Sequence, residues 1–265
     1  MPVLAVIPAR LGATRLPRKP LRLLGGVPLV VRVYERVLAL HVADRCVVAT
    51  DDAEVMEACA IHEVPAVLTA SHHPSGTDRV AEVARRPEFS GFTILLNVQG
   101  DEPFVSRSAL IGAIRIVTDG LASIGTAAVR IDAALLSSPD VVKVVRTDAG
   151  RALYFSRAPI PFLRDTADVD RLAPFALQHV GVYAYAAAAL AQWVSLPPHP
   201  LELIERLEQL RPLAHGIPIG VAEVEAAEGG IDTEDDLARA NAHWILQSAM
   251  TEQFQISTTS LRDAS

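Results

Sequence analysis

Cysteine and lysine are the scarcest informative residues in this 265-residue chain, with two of each. Cys46 and Cys59 form no CxxC pair and no zinc-ligand spacing, which excludes a zinc ribbon and a disulfide framework. They read as buried free thiols, as expected of a reducing compartment. Long apolar runs are also missing. The longest, Tyr183 to Ala191, falls well short of the roughly 18–20 residues that cross a bilayer. The opening MPVLAVIPAR lacks a basic n-region and reads as a strand rather than a signal peptide. A soluble, cytoplasmic protein without membrane insertion is expected. The net charge is −7, and no long basic run offsets it, which argues against a general nucleic-acid binder. Neither GxxxxGK[ST] nor GxGxxG occurs, so a P-loop is excluded and a dinucleotide fold is unsupported. No linker rich in proline, glycine or serine divides the chain, and no repeat of 20–50 residues is present.

Half of the residues are apolar, enough for a sizeable core. Short apolar runs alternate with helical patterns. Val3–Ile7, Cys46–Ala49 and Ile94–Val98 read as buried strands; Pro28–Leu40, Ala53–Ile61, Val80–Arg86 and Ser108–Val117 read as helices. That alternation predicts a three-layer α/β domain with a mainly parallel, mixed sheet. The second half adds strands at Ile124–Ile131, Val141–Val145, Ala152–Ser156, Val180–Tyr185 and Ile217–Val221, with helices at Leu201–Leu213 and Thr233–Gln247. A single domain over 1–250 is expected, with an inserted portion at about 124–215 and a polar tail at 251–265.

Ligands of open α/β sheets bind beyond the carboxyl ends of the strands. After the first strand comes PARLGATRLPRKPL, a proline-stiffened loop carrying Arg10, Arg15, Arg18 and Lys19. Such a loop suits a triphosphate, or it is simply a solvated basic loop. After Ile94–Val98 comes Gln99-Gly100-Asp101-Glu102-Pro103. Asp101 either holds magnesium against phosphate oxygens or caps the next helix. Asp232 is a second candidate carboxylate, although Thr233 and Asp236 beside it have the spacing of a capping box. Asp51 and Asp52 are read as helix caps.

The segments PARLGATRLPRKPL, SGTDR (75–79), NVQGDEP (97–103), LYFSRAPIP (153–161), HVGVY (179–183), LEQLR (207–211) and IDTEDDL (231–237) occur in an order that resembles the CMP-Kdo synthetases, the 3-deoxy-manno-octulosonate (Kdo) cytidylyltransferases. The resemblance spans about residues 3 to 246. It implies a nucleotide-diphospho-sugar-transferase-like, Rossmann-like fold and transfer of CMP from CTP to Kdo, with release of pyrophosphate, for lipopolysaccharide biosynthesis. It further implies Mg2+ as cofactor and a homodimer. By motif position, Arg10 and Lys19 resemble the triphosphate contacts, with Arg15 nearby. Ser75, Gly76 and Arg79 resemble the segment near the cytidine, and Asp101 and Asp232 the magnesium carboxylates. Gln99, which resembles a residue at both substrates, Arg157, His179, Tyr183, Glu208 and Gln209 resemble the lining of the sugar pocket.

Spacing alone leaves other readings for these residues. His179 and Tyr183 share one strand face and fit a packed core pair. Arg157 fits a surface ion pair, and Glu208 and Gln209 an exposed helix face. The chain also departs from the family at three places. Arg18 replaces a loop glycine, Leu163 stands where an acid is expected, and Glu234 stands where a proline often starts the last helix. Arg18 bears on the phosphate loop, either altering its mobility or pointing to solvent. The rival readings are a cytidylyltransferase for 8-amino-Kdo or sialic acid and a noncatalytic nucleotide binder. A hexose-1-phosphate nucleotidyltransferase lacks support, because the glycine-rich start of that family is missing.

Overall fold

The computed structural model describes residues 1–12, 15–165, 169–172, 174–225 and 229–245. The tail expected at 251–265 and the end of the last helix lie outside the described residues. The strands are β1 (Val3–Ala9), β2 (Leu23–Leu24), β3 (Val27–Pro28), β4 (Arg45–Thr50), β5 (Ala66–Leu68), β6 (Ile94–Asn97), β7 (Ile124–Arg130), β8 (Lys143–Arg146), β9 (Ala152–Ser156), β10 (Leu177–Ala186) and β11 (Ile219–Val224). The helices are α1 (Leu29–Ala39), α2 (Ala53–Ile61), α3 (Gly76–Ala84), α4 (Arg107–Thr118), α5 (Val169–Leu172), α6 (Ala187–Ser195), α7 (Pro200–Glu205), α8 (Leu210–Ala214) and a terminal helix over 234–245.

The main sheet runs β11-β7-β10-β6-β1-β4-β5. Along this path only β10 opposes the other six strands, since it pairs antiparallel with β6 and β7 while every other neighbour pair is parallel. β8 branches off β10, and β9 pairs with β8, both antiparallel. The mainly parallel, mixed sheet expected from the sequence is therefore present.

Strand alternation builds the layers. In β1, Val3, Ala5 and Ile7 face one core with α1, α2 and α4, while Leu4 and Val6 face another with α3 and α6. Both faces are covered, which is why β1 reads as an unbroken apolar run. A third, smaller core joins Leu16, Leu24 and Leu29 to Ile231, Leu237 and Ala240 of the terminal segment. Glu234, at the departure from proline, ties this helix to Arg22 (Nη2 to Oε2, 2.7 Å). Trp244 packs so close to the β2–β3 turn that a Cβ at Gly25, itself at φ +57°, would lie 2.5 Å from the indole.

Two readings need correction. The helix expected over Leu201–Leu213 is broken: Arg206 adopts the left-handed conformation (φ 56°, ψ 45°) and ends α7, and α8 begins only at Leu210. A buried ion pair staples the halves, with Arg211 Nε and Nη2 donating to Glu202 Oε2 (2.8 Å) and Oε1 (2.5 Å). Glu208 and Gln209 thus sit in an inward turn rather than on an exposed helix face; Gln209 is buried. Second, only Asp52 caps, accepting from Glu54 N at 2.8 Å. Asp51 instead pairs with Arg79 at 3.1 Å. The β2–β3 hairpin, β5 and α6 have no counterpart in the sequence reading.

Candidate active site

The chain passes from β1 to β4 and β5 on one side and returns to β6 on the other, which opens a crevice at the carboxyl ends of β1 and β6. A cavity of ≈ 250 Å³ occupies it. Arg10 and Lys19 come from the loop after β1, Gln99 and Asp101 from the loop after β6, and Ser75, Gly76 and Arg79 from the start of α3. Glycine is required where the two loops meet. A Cβ on Gly100 would lie 2.9 Å from the Pro8 carbonyl oxygen, so only glycine brings Asp101 alongside the β1 loop.

Lys19 and the two acids converge. Lys19 Nζ donates to Asp101 Oδ2 at 2.6 Å and to Asp232 Oδ1 at 2.7 Å. Burial alone would lower the Lys19 pKa; the charges and hydrogen bonds of Asp101 and Asp232 outweigh it and raise it. Neither acid is used up as a helix cap. Ser106 caps α4 by accepting from Ala109 N at 3.2 Å. The capping box at the terminal helix is made by Thr233 and Asp236, which leaves the Asp232 carboxylate for the site. Glu102 is pushed up to about 8, first by burial and then by the charges of Asp101 and Asp232, against the pull of Lys19. It is therefore mostly uncharged at neutral pH. The side chains of Asp101 and Asp232 converge on one cation, Lys19, and this oxygen donor set suits Mg2+, which takes one or two protein carboxylates and completes its shell with phosphate oxygens and water. No cluster of three or more His, Cys, Asp or Glu side chains suited to a metal occurs among the described residues.

The other loop cations lie outside this cavity. Arg15 Nη2 donates to Asp232 Oδ2 at 3.0 Å and its Nη1 lies 3.5 Å from Asp140. Arg18 holds φ 57°, the left-handed region that the replaced glycine would favour, and its guanidinium pairs with Glu54 of α2. The side chain is therefore engaged rather than simply pointing to solvent. At the start of α3, Ser75 accepts from Asp78 N at 3.2 Å. Arg79 is only 3 % exposed and also donates to Thr69 Oγ1.

A second cavity of ≈ 320 Å³ shares Gly76, Gln99 and Glu208 with the first. Gln99, Arg157, His179, Tyr183, Glu208 and Gln209 all line it, so every residue assigned to a sugar pocket by motif is brought together. His179 and Tyr183 flank a bulge of β10 that Thr126 holds: Thr126 Oγ1 donates to Val182 O at 2.7 Å. That commits its one proton, so it accepts from His179 Nε2–H at 3.0 Å and leaves Nδ1 as an acceptor. Burial lowers His179 to about 3, so the ring is neutral. Tyr183 Oη is buried without a hydrogen-bond partner among the described residues. Glu208 accepts from Thr77 Oγ1 at 2.9 Å, and burial raises its pKa. Among the described residues Arg157 makes no ion pair; its guanidinium donates to the carbonyls of Glu205 and Pro139, both at 2.9 Å.

Several lining residues were missed. Thr77 and Asn97 lie inside motifs already singled out, so the SGTDR and NVQGDEP runs could have supplied them. His73 lines the first cavity with Nε2 2.5 Å from Glu82 Oε2, and only its closeness to SGTDR hints at it.

A cytidylyltransferase family model matches residues 4–219. A 3-deoxy-manno-octulosonate cytidylyltransferase of Gemmatimonas aurantiaca is 72 % identical over 256 residues, covering 96 % of this chain and 99 % of that protein. The protein of that name from Wolinella succinogenes is 44 % identical, covering 89 % and 96 %. Among solved structures, a CMP:2-keto-3-deoxy-manno-octonic acid synthetase complexed with CTP superposes with a TM-score of 0.85 at 37 % identity, over 93 % of this chain and all of that one. A 4-diphosphocytidyl-2C-methyl-D-erythritol synthase from Anaerococcus prevotii shares the fold alone, at TM-score 0.59 and 15 % identity. The chain belongs to the 3-deoxy-manno-octulosonate cytidylyltransferases.

Proposed function

We propose that this chain transfers CMP from CTP to the anomeric hydroxyl of Kdo. The hydroxyl oxygen bonds to the α-phosphorus, the bond to the β-phosphate oxygen breaks, pyrophosphate leaves, and the hydroxyl proton passes to solvent. Two adjoining cavities that share Gln99 and Glu208, one of them bearing Lys19 beside Asp101 and Asp232, carry this reading. The shared wall sets a nucleotide and a sugar side by side, and positioning is the larger part of such a transfer.

Arg10 and Lys19 are suited to the charge that develops on the departing pyrophosphate. Ser75, Gly76 and Arg79 would hold the cytidine end. Asp101 and Asp232 would hold Mg2+, which would supply charge neutralisation and acidify the attacking hydroxyl. Arg157 would receive the sugar carboxylate, while the His179 Nδ1 acceptor, Glu208 and Gln209 would meet the sugar hydroxyls and Tyr183 would line the pocket.

The assay is pyrophosphate release from CTP with Mg2+, run with Kdo, 8-amino-Kdo and sialic acid. Release with Kdo alone is expected; release with another sugar would move the substrate assignment, and none at all would favour a noncatalytic binder. Asp101→Asn is expected to abolish turnover at saturating substrates, with CTP binding measured by calorimetry as the control. Near-normal turnover would remove Asp101 from the metal site.

We further infer a homodimer. A groove of ≈ 740 Å³ beside β8 and β9 is lined by Leu153 and Phe175, each 59 % exposed, and Phe162 nearby is 82 % exposed. Apolar surface of that kind marks a contact. Two free, buried cysteines and a CTP substrate support a cytoplasmic setting. No helix of the described residues is long and apolar enough to cross a membrane.

A further inference from the structure

Lys143, one of only two lysines in the chain, opens β8 and is completely buried. Its three N–H donors are all spent on backbone carbonyls: Ser138 O at 2.8 Å, Val141 O at 2.6 Å, and Arg157 O. None of its bonds goes to a carboxylate. A buried cation without a paired anion is costly, and proteins rarely keep one without a use for its charge.

Its partners locate that use. The carbonyl of Arg157 is held by Lys143, and the backbone N–H of Arg157 donates to Glu205 Oε2 at 2.9 Å. Lys143 also ties down both ends of 138–141, whose Pro139 carbonyl accepts from Arg157 Nη1. Arg157 is thus fixed from three sides, and both contacts of its guanidinium are backbone carbonyls. Carbonyls orient a guanidinium without neutralising it. Of its five N–H groups two are used, which leaves three for a ligand in the sugar cavity that Arg157 lines. Glu205 opposes the charges of Lys143 and Arg157 here, and it is already engaged by Ser156 Oγ at 2.6 Å.

We propose that Lys143 is a positioning and specificity residue for the acidic sugar: it fixes Arg157, and its unneutralised charge makes the cavity favour a carboxylate over a neutral sugar. The fall in the Lys143 pKa, caused by burial and then by Arg157, fits a locally positive site. The proposal rests on Arg157 as the carboxylate ligand, and its test separates the two.

KM for Kdo and for CTP would be measured for wild type, Arg157→Ala, Lys143→Met and Glu205→Gln, with inhibition by Kdo and by its neutral carboxamide. Lys143→Met is expected to raise KM for Kdo at least about tenfold, the size of a lost hydrogen bond to a charged group, with KM for CTP within about twofold. It should also narrow the preference for the acid over the amide. A melt alone would register a merely structural lysine; the acid-to-amide ratio would not. Glu205→Gln, which removes the opposing charge, should widen that ratio, and it serves as the test if Lys143→Met does not fold. If Arg157→Ala leaves KM for Kdo unchanged, the Arg157 reading falls and this proposal falls with it. If Arg157→Ala raises that KM while both other variants leave the ratio unmoved, the Lys143 proposal alone is overturned.

Discussion

His179 shows how one residue couples the site to acid stability. Its ring is neutral in the fold, with a pKa lowered by burial to about 3 from the ordinary 6.5. The unfolded chain therefore takes up a proton that the folded chain refuses whenever the pH lies between those values. Stability from this group is complete above about 6.5 and drains away as the pH falls toward 3, at roughly 1.4 kcal/mol per pH unit. His179→Gln removes this dependence. The stability gap between wild type and variant, measured by urea denaturation, should shrink by up to roughly 3 kcal/mol between pH 7 and pH 4. A gap of constant size would mean that the imidazole is not held neutral. At this same scale, legibility in the sequence was uneven. The six sugar-cavity residues were found because each sits in a motif. The anchors behind them were not: Lys143 holds only backbone carbonyls, which carry no side-chain signature, and Glu205 reaches Arg157 across 48 positions.

The break between α7 and α8 belongs to the scale of elements. Apolar residues over Leu201–Leu213 keep helical spacing through it, so periodicity reads one helix. The turn rests on a left-handed Arg206, where glycine would have announced a stop. α6 was hidden for a related reason: it follows β10 without a side-chain cap, inside one continuous apolar run. The long strands and the helices α1 and α4 were legible because their apolar residues keep a clean period. What holds the inward turn is the buried Glu202–Arg211 pair. Removing one partner strands the other charge in the interior. Glu202→Gln should cost about 3 kcal/mol in urea denaturation. It should also weaken Kdo use, because Glu208 and Gln209 lie between the stapled halves. A loss below about 1 kcal/mol would show that the turn is held by its apolar contacts, Leu207 and Leu210, instead.

At the scale of the whole molecule, the exposed apolar face beside β8 and β9 makes its own prediction. Phe162→Glu places a charge where Leu153 and Phe175 are also uncovered. Sedimentation velocity should find the wild type as a dimer and this variant shifted to monomer at micromolar concentration. A wild-type monomer would leave that face to another partner. The charges at the nucleotide cavity are also a property of the whole chain. Lys19 and Asp232 touch although 213 residues separate them, and the small third core that brings them together is built from both ends of the fold.

That pairing has a consequence for synthesis on the ribosome. Lys19, Asp101 and the lining of both cavities are translated before Asp232, so a growing polypeptide assembles most of its nucleotide crevice while still missing one of the two acids. On the proposed role of Asp232, turnover waits for the segment that carries this residue. Stalled ribosome complexes ending before residue 230 should release no pyrophosphate, and activity should appear only once the segment through the terminal helix has emerged. Turnover by the shorter nascent chains would show that Asp101 suffices.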